Sequence, residues 1–334
     1  MDILRIVFNA FCENENHYAT CIIMLPENNF SIKKIYNISK INSYLICSSL
    51  KIDKLVEEKC FEIGDDIFIK AYLTAKNEGF YFTSFPDEGN LNLNNVSIPS
   101  FVESDIELVI SNLGGHKIQE RNIKTPDFYL NNILLEFKSL QNESLENKER
   151  QKNIAEIFFD TPDYSIDIDP IQNFNELTSI YHKKIKNTIK EHFKKASKQI
   201  KEFKREIQNG ENSGIVLFNT GYFSLPHQLL KKLVEDILKN ETETIEFAFI
   251  FTQIAQTNGW NLITTMQQDW VGNIPSGLNI KEFEIEFSKL IDLKMNGVFS
   301  EENAGSNLKF QKPISFEIND KIFYWNPGQI SFFK

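Results

Sequence analysis

The chain has 334 residues, 41% hydrophobic and 25% charged, with a formal net charge of −10. That balance describes one large or two moderate soluble globular domains, and the lack of any run of about 18 apolar residues excludes a transmembrane helix. The N-terminus MDILRIVFNAF has no basic region before an apolar stretch, which argues against a secretory signal, so a cytoplasmic location is expected. The 29 Phe predict an aromatic-rich core, and the abundance of Asn, Ile and Lys points to an AT-rich microbial genome. Cys12, Cys21, Cys47 and Cys60 form no CxxC pair; they read as reduced and structural, and no zinc site is expected.

Residues 1–90 read as a β-rich accessory domain. Leu4–Phe8, Thr20–Leu25, Ser43–Cys47 and Asp66–Tyr72 are strand-like, separated by Asn-rich turns such as Glu27-Asn28-Asn29. Residues 86–98 read as a linker into a second domain over 91–334. There Ser100 is expected to cap a helix, with Glu103 as its capping-box partner. Val102, Ile106, Val109, Ile110 and Leu113 form its apolar stripe, and Gly114-Gly115 ends it. His116–Glu120 is predicted as a strand.

Two apolar runs follow, Asp127–Leu130 and Ile133–Lys138, joined by Asn131-Asn132. Asn tolerates positive φ, so a two-residue hairpin turn is expected there. That register sets Phe128 opposite Leu135 and Asp127 opposite Glu136. Side chains alternate across a strand, so Asp127, Glu136 and Lys138 share one face, with Phe128, Leu135 and Phe137 on the other. Carboxylates opposed on a sheet have Cβ atoms about 5 Å apart and repel. The arrangement makes sense if a divalent cation sits between them. An amphipathic hairpin with a solvated outer face would explain Lys138 but not the facing acids.

Residues 141 to about 178 read as polar and irregular. A long helix is predicted from about Tyr181 to Gln208, with apolar Ile185, Ile189, Phe193, Ala196, Ile200, Phe203 and Ile207. Ile215–Phe218 reads as a buried strand. A helix over 226–239 and a strand over 245–251 that extends the same sheet are expected next. Ile314–Ile318 and Lys321–Trp325 should form a hairpin around Asn319-Asp320.

Pro126-Asp127 followed by Glu136-Phe137-Lys138 resembles the signature of the PD-(D/E)XK nuclease superfamily. The order helix, three strands, helix, strand over residues 100–222 is similar to the core of that superfamily, with an extension from about 223. The resemblance implies an α/β, restriction-endonuclease-like core, a mixed sheet flanked by helices. It implies a Mg2+-dependent phosphodiesterase, an endonuclease rather than an exonuclease, with Mn2+ able to substitute. Asp127, Glu136 and the Phe137 carbonyl would be metal ligands, and Lys138 would orient or deprotonate the attacking water. Some members add an acid from the preceding helix. Glu103 and Glu107 are the candidates, and Glu103, nearer the apolar stripe, is preferred for the catalytic and metal set. Gln199 stands where some members carry a Gln that contacts metal-bound water or a phosphate.

A nucleic-acid enzyme needs a basic surface even when acidic overall. From Lys183 to Arg205 ten basic residues oppose only Glu191 and Glu202. Lys190, Lys194, Lys195, Lys198 and Lys201 are the candidate phosphate contacts, against the default reading of a solvated Lys-rich face. Thr161-Pro162-Asp163 repeats half the motif without the lysine and reads as surface. The five histidines form no HxH or HxxxH pair, and no P-loop or GxSxG occurs. The implied partners are nucleic acid, DNA before RNA, a separate ATPase or helicase subunit, and a second copy of the chain, in a restriction or anti-phage setting. The alternatives are a nucleic-acid-binding or scaffold subunit that keeps the fold without cleaving, and a metal-dependent hydrolase of another phosphoester.

Overall fold

A computed structural model describes residues 2–15, 17–55, 66–86, 98–207, 212–257, 262–297 and 311–327. It is an α/β structure with antiparallel and mixed sheets, and among the described residues seven α-helices. The first sheet is antiparallel. Its strands are β1 (Ile3–Cys12), β2 (His17–Pro26), β3 (Tyr44–Ile46), β4 (Lys51–Leu55) and β5 (Tyr81–Pro86), in the order β3-β1-β2-β5 with β4 also on β1. Alternation sends Ile6, Phe8 and Ile23 against α1 (Ile32–Ile41). It sends Ile3 and Met24 to the opposite face, against Ala71, Tyr72 and Ala75 of α2 (Asp66–Glu78).

Helix α2 overturns the expectation of a strand over Asp66–Tyr72. The buried positions Ala71, Tyr72 and Ala75 follow the helical period. A window stopped at Tyr72 misses Ala75, the residue that reveals that period. The proposed linker lies largely in residues 87–97, outside the described residues.

The second sheet carries the candidate site. Its order is β12-β11-β10-β8-β7-β6, with β6 (His116–Lys117), β7 (Phe128–Leu130), β8 (Ile133–Leu140), β10 (Asn212–Asn219), β11 (Phe247–Thr257) and β12 (Leu262–Gly272). β8, β10 and β11 run parallel, while β6, β7 and β12 join antiparallel. Central strands buried on both faces need continuous apolar runs. In β10, Ile215 and Leu217 enter one core and Val216 and Phe218 the other.

One face is covered by α5 (Glu176–Ile207) and α6 (His227–Asn240), the other by α3 (Glu103–Asn112) and α7 (Ile280–Gly297). All the predicted α5 stripe that can be described, from Ile185 to Phe203, is buried; the side chain of Ile207 and all of Gln208 lie outside the described residues. The aromatic core is real. Phe218 stacks edge-on or tilted against Phe101, Phe137, Phe249, Phe251 and Phe287. Each such pair contributes about 0.5–1.5 kcal/mol beyond area burial.

Several boundaries move. Helix α3 starts at Glu103, so Ser100 is not its cap; the Asp105 carboxylate accepts the Val102 N–H at 2.8 Å. Phe101 is drawn into the aromatic core, which keeps 100–102 extended and leaves Glu103 free of a capping role. The strand predicted over His116–Glu120 stops at Lys117. The long helix begins at Glu176, not Tyr181. The segment read as irregular contains α4 (Lys148–Ile157), capped by Asn147 Oδ1, and β9 (Ser165–Asp167).

A third, small sheet joins β9 to β13 (Ile314–Ile318) and β14 (Lys321–Trp325) in the order β13-β14-β9. The β13–β14 turn has Asn319 and Asp320 at φ of 54° and 57°, the primed-turn geometry expected of that dipeptide. Ile322 enters the core beneath α1, and the Tyr36 hydroxyl donates to the Ser315 carbonyl at 3.0 Å.

Candidate active site

The site is built on the β7–β8 hairpin. Asn131 and Asn132 hold φ of 46° and 66°, and the register pairs Phe128 with Leu135, Tyr129 with Leu134 and Leu130 with Ile133, as the sequence predicted. Leu135 and Phe128 therefore enter the α3/α7 core and Leu134 the α5/α6 core. Glu136 and Lys138 follow Leu134 onto the α5 side.

Beyond Phe128 the ladder ends, and the Asp127 side chain takes over from it. Its Oδ2 accepts the Phe137 N–H at 2.7 Å, while its carbonyl accepts the Ile118 N–H at 2.8 Å. In a strand the N–H and C=O of one residue point the same way. The Phe137 carbonyl thus faces the same opened side as Asp127.

Glu136 is completely buried. Its Oε1 accepts from Lys138 Nζ, and its Oε2 has no hydrogen-bond partner. Burial, then the Asp127 charge, pushes the Glu136 carboxyl up to about 7, against the opposing pull of Lys138 and Gln199. Gln199 acts on Glu136 from nearby without a hydrogen bond of normal geometry to Oε2; its amide donates to the Thr125 carbonyl at 3.1 Å. Burial also raises Asp127, opposed by the Phe137 N–H and reinforced by the charge of Glu103. Two buried acids with raised pKa values, Glu136 through burial and the Asp127 charge and Asp127 through burial and the Glu103 charge, are short of positive charge, and the donor set of carboxylate and carbonyl oxygens suits a hard divalent cation.

Glu103, at the N-terminus of α3, pairs with Lys117 Nζ at 2.6 Å, and Glu107 lies 3.8 Å from the same ammonium; the carboxylates of Glu103, Asp127 and Glu136 do not all lie within 4.8 Å of one another. Glu103 shares with Asp127 and Gln199 the wall of a cleft of about 590 Å3, completed by Lys117, Arg121, Lys124, Lys195 and Lys198 among others. Glu107 does not line it. Lys198 sits close enough to Lys124 to hold it below the ordinary lysine range, a crowding of like charge beside the acids.

The five candidate phosphate lysines separate. Lys195 and Lys198 line the acid-bearing cleft. Lys190, Lys194 and Lys201, with Lys198 again, line a groove of about 620 Å3 between α5 and the end of α6. In that groove Lys190 pairs with Glu241 and Lys194 with Glu191. The larger groove contains neither Asp127 nor Glu136.

Sequence reasoning missed Lys117, Lys124 and His192. Lys117 ends the two-residue strand β6 and Lys124 sits on irregular chain between β6 and β7, so no period marks a face for either. His192 lies seven residues before Gln199, two turns along the same side of α5. Burial and the charges of Lys195 and Lys138 lower its pKa. It lines a second cavity of about 430 Å3 with Ser139 and Arg150. The segment around the half-motif makes local contacts. Lys321 Nζ donates to the carbonyls of Thr161 and Asp163, and Asp167 accepts from Asp169 N and Gln172 Nε2.

Among the described residues no helix is long and apolar enough to cross a membrane. No family model, curated protein or solved structure matches the chain.

Proposed function

We propose that the chain is a metal-dependent nuclease with a restriction-endonuclease-like core that hydrolyses phosphodiester bonds, DNA before RNA. The observation that carries this reading is the wholly buried Glu136, with an unpartnered Oε2, electrostatically coupled to Asp127 on one face of the hairpin. A fold gains no stability from such a pair; the cost makes sense if the pair holds Mg2+ or Mn2+.

Asp127, Glu136 and the Phe137 carbonyl would hold the cation, with Glu103 as a further acid at the cleft wall. When bound it would supply charge stabilisation on the phosphoryl oxygens and a water of lowered pKa. Lys138 is tethered to Glu136 and only 19% exposed, so its ammonium is fixed where negative charge develops. Gln199, anchored on Thr125, would orient the water or a phosphate oxygen. Lys124, Lys195 and Lys198 are the phosphate contacts nearest the acids; Lys190 and Lys194, already paired, are secondary.

The test is cleavage of plasmid, linear duplex, single-stranded DNA and RNA in Mg2+ or Mn2+. The wild type should cleave at least one substrate, and Asp127→Asn and Lys138→Ala should not. Activity surviving both substitutions would defeat the assignment. Tight binding with no cleavage of any substrate would favour the non-cleaving scaffold.

A further inference from the structure

The closed end of the β1–β2 hairpin brings together three metal-ligand types far from the acids of β7 and β8. Cys12 and His17 are Cα partners across the hairpin, so the backbone fixes their separation. Glu15, in the connecting turn, places Oε2 3.3 Å from His17 Nδ1. One donor atom from each of Cys12, Glu15 and His17 lies within 4.8 Å of the other two. The turn is held in place independently: Glu13 N donates to the Ser43 carbonyl at 3.0 Å, and Asn14 Nδ2 to Ser43 Oγ at 2.9 Å.

A second observation points to a ligand. His17 is only 6% exposed, and its Nε2 is buried with no hydrogen-bond partner. A buried ring nitrogen left unsatisfied is a cost that asks for an explanation. Coordination would remove it. If Nε2 binds a metal, Nδ1–H donates to Glu15, the carboxylate–histidine arrangement that fixes ring orientation. If Nδ1 binds, Glu15 enters the coordination shell directly.

We propose that Cys12, His17 and Glu15 form a transition-metal site, with Zn2+ the preferred occupant. Thiolate and imidazole select a borderline-soft ion over Mg2+. Bound through Nε2, which relieves the unpartnered nitrogen, the ion takes Cys12 and His17 as ligands with water in the remaining positions and Glu15 holding the ring from behind; bound through Nδ1, Glu15 replaces one water and completes the charge balance. Binding releases the Cys12 proton to solvent, with no change of oxidation state. The ion would clamp the first sheet at its β1–β2 turn. Cysteine spacing does not reveal this cluster, because its members converge across a hairpin rather than through a CxxC or HxxxH repeat.

The experiment is titration of the metal-stripped, full-length, reduced protein with Co2+, read by visible and near-ultraviolet absorption. The expected result is one Co2+ per chain with a thiolate-to-cobalt charge-transfer band, displaced by Zn2+ and untouched by excess Mg2+. Cys12→Ser should abolish the band, and His17→Gln should weaken binding at least about tenfold. Asp127→Asn should keep the band, which separates this site from the proposed nuclease centre. Circular dichroism identifies any variant that has not folded, and the Zn2+-induced rise in melting temperature of the wild type needs no variant. No charge-transfer band in the wild type, or a band that survives Cys12→Ser, overturns the proposal.

Discussion

The Phe137 N–H donates to Asp127 Oδ2 at 2.7 Å, so one carboxylate both terminates the β7–β8 ladder and faces Glu136. Structure and proposed chemistry can be separated at this residue. Asp127→Asn keeps an acceptor for Phe137 and removes the charge. Its stability should match or exceed that of the wild type while cleavage is lost. Asp127→Ala orphans the N–H and should cost about 1–3 kcal/mol. Urea denaturation of both variants checks the difference; equal stabilities would show that the hydrogen bond carries no weight.

Glu136 links stability to pH. Its carboxyl rises from 4.5 in the unfolded chain to about 7 in the folded one. Between those values the folded state keeps a proton that the unfolded state has released. The metal-free protein therefore has this stability in full below about pH 4.5 and loses it as pH rises through about 7, by on the order of 3 kcal/mol. Glu136→Gln should match the wild type near the low end, exceed it at about pH 8, and be inactive. Parallel stability profiles across that window would remove burial as the source of the shift.

Salt dependence should distinguish the lysines. Lys124→Ala and Lys198→Ala, in the acid-bearing cleft, should each reduce the slope of log affinity against log salt by about 0.9 on duplex DNA. Lys190→Ala, whose ammonium is held by Glu241, should change it little. Equal loss at all three positions would point to a diffuse basic surface in place of a path through the cleft.

Gly221 tests the far end of the parallel strands. A Cβ there would lie 2.0 Å from the Gln141 carbonyl oxygen, just past the point where Thr220 N donates to Leu140 O at 3.2 Å. Gly221→Ala should cost about 1–3 kcal/mol through forced backbone displacement. Because β8 carries Lys138 two residues before Leu140, activity should fall with it. Thermal unfolding and cleavage measured on the same sample check both effects.

The hairpin and its register as far as Phe128–Leu135 were legible because a period of two and an Asn-Asn turn are local signals; the expected Asp127–Glu136 pair does not form, because β7 begins at Phe128 and the Asp127 carboxylate takes the Phe137 N–H instead. The stripe of α5 was equally plain, repeating over many turns. What escaped were features decided by distant partners. β12 and α7 carry no unambiguous period of their own; β12 is fixed by Trp270 meeting Phe249 and Phe283, and α7 by Phe283 and Phe287 meeting Phe249 and Phe251. The start of α3 was misplaced because Phe101 answers to the aromatic core and not to the Ser100 capping signal. Lys117, on a strand of two residues, and Lys124, on the irregular chain after it, enter the cleft where no spacing rule applies.

The pairing of β9 with β14 imposes an order on the protein's own synthesis. Residues 165–167 leave the ribosome long before residues 322–324, their strand partner among the described residues. Until then the edge at Ser165–Asp167 is open, and the hollow beneath α1 lacks Ile322. A nascent chain would thus expose backbone donors and apolar surface from the emergence of β9 until the Asn319-Asp320 hairpin follows.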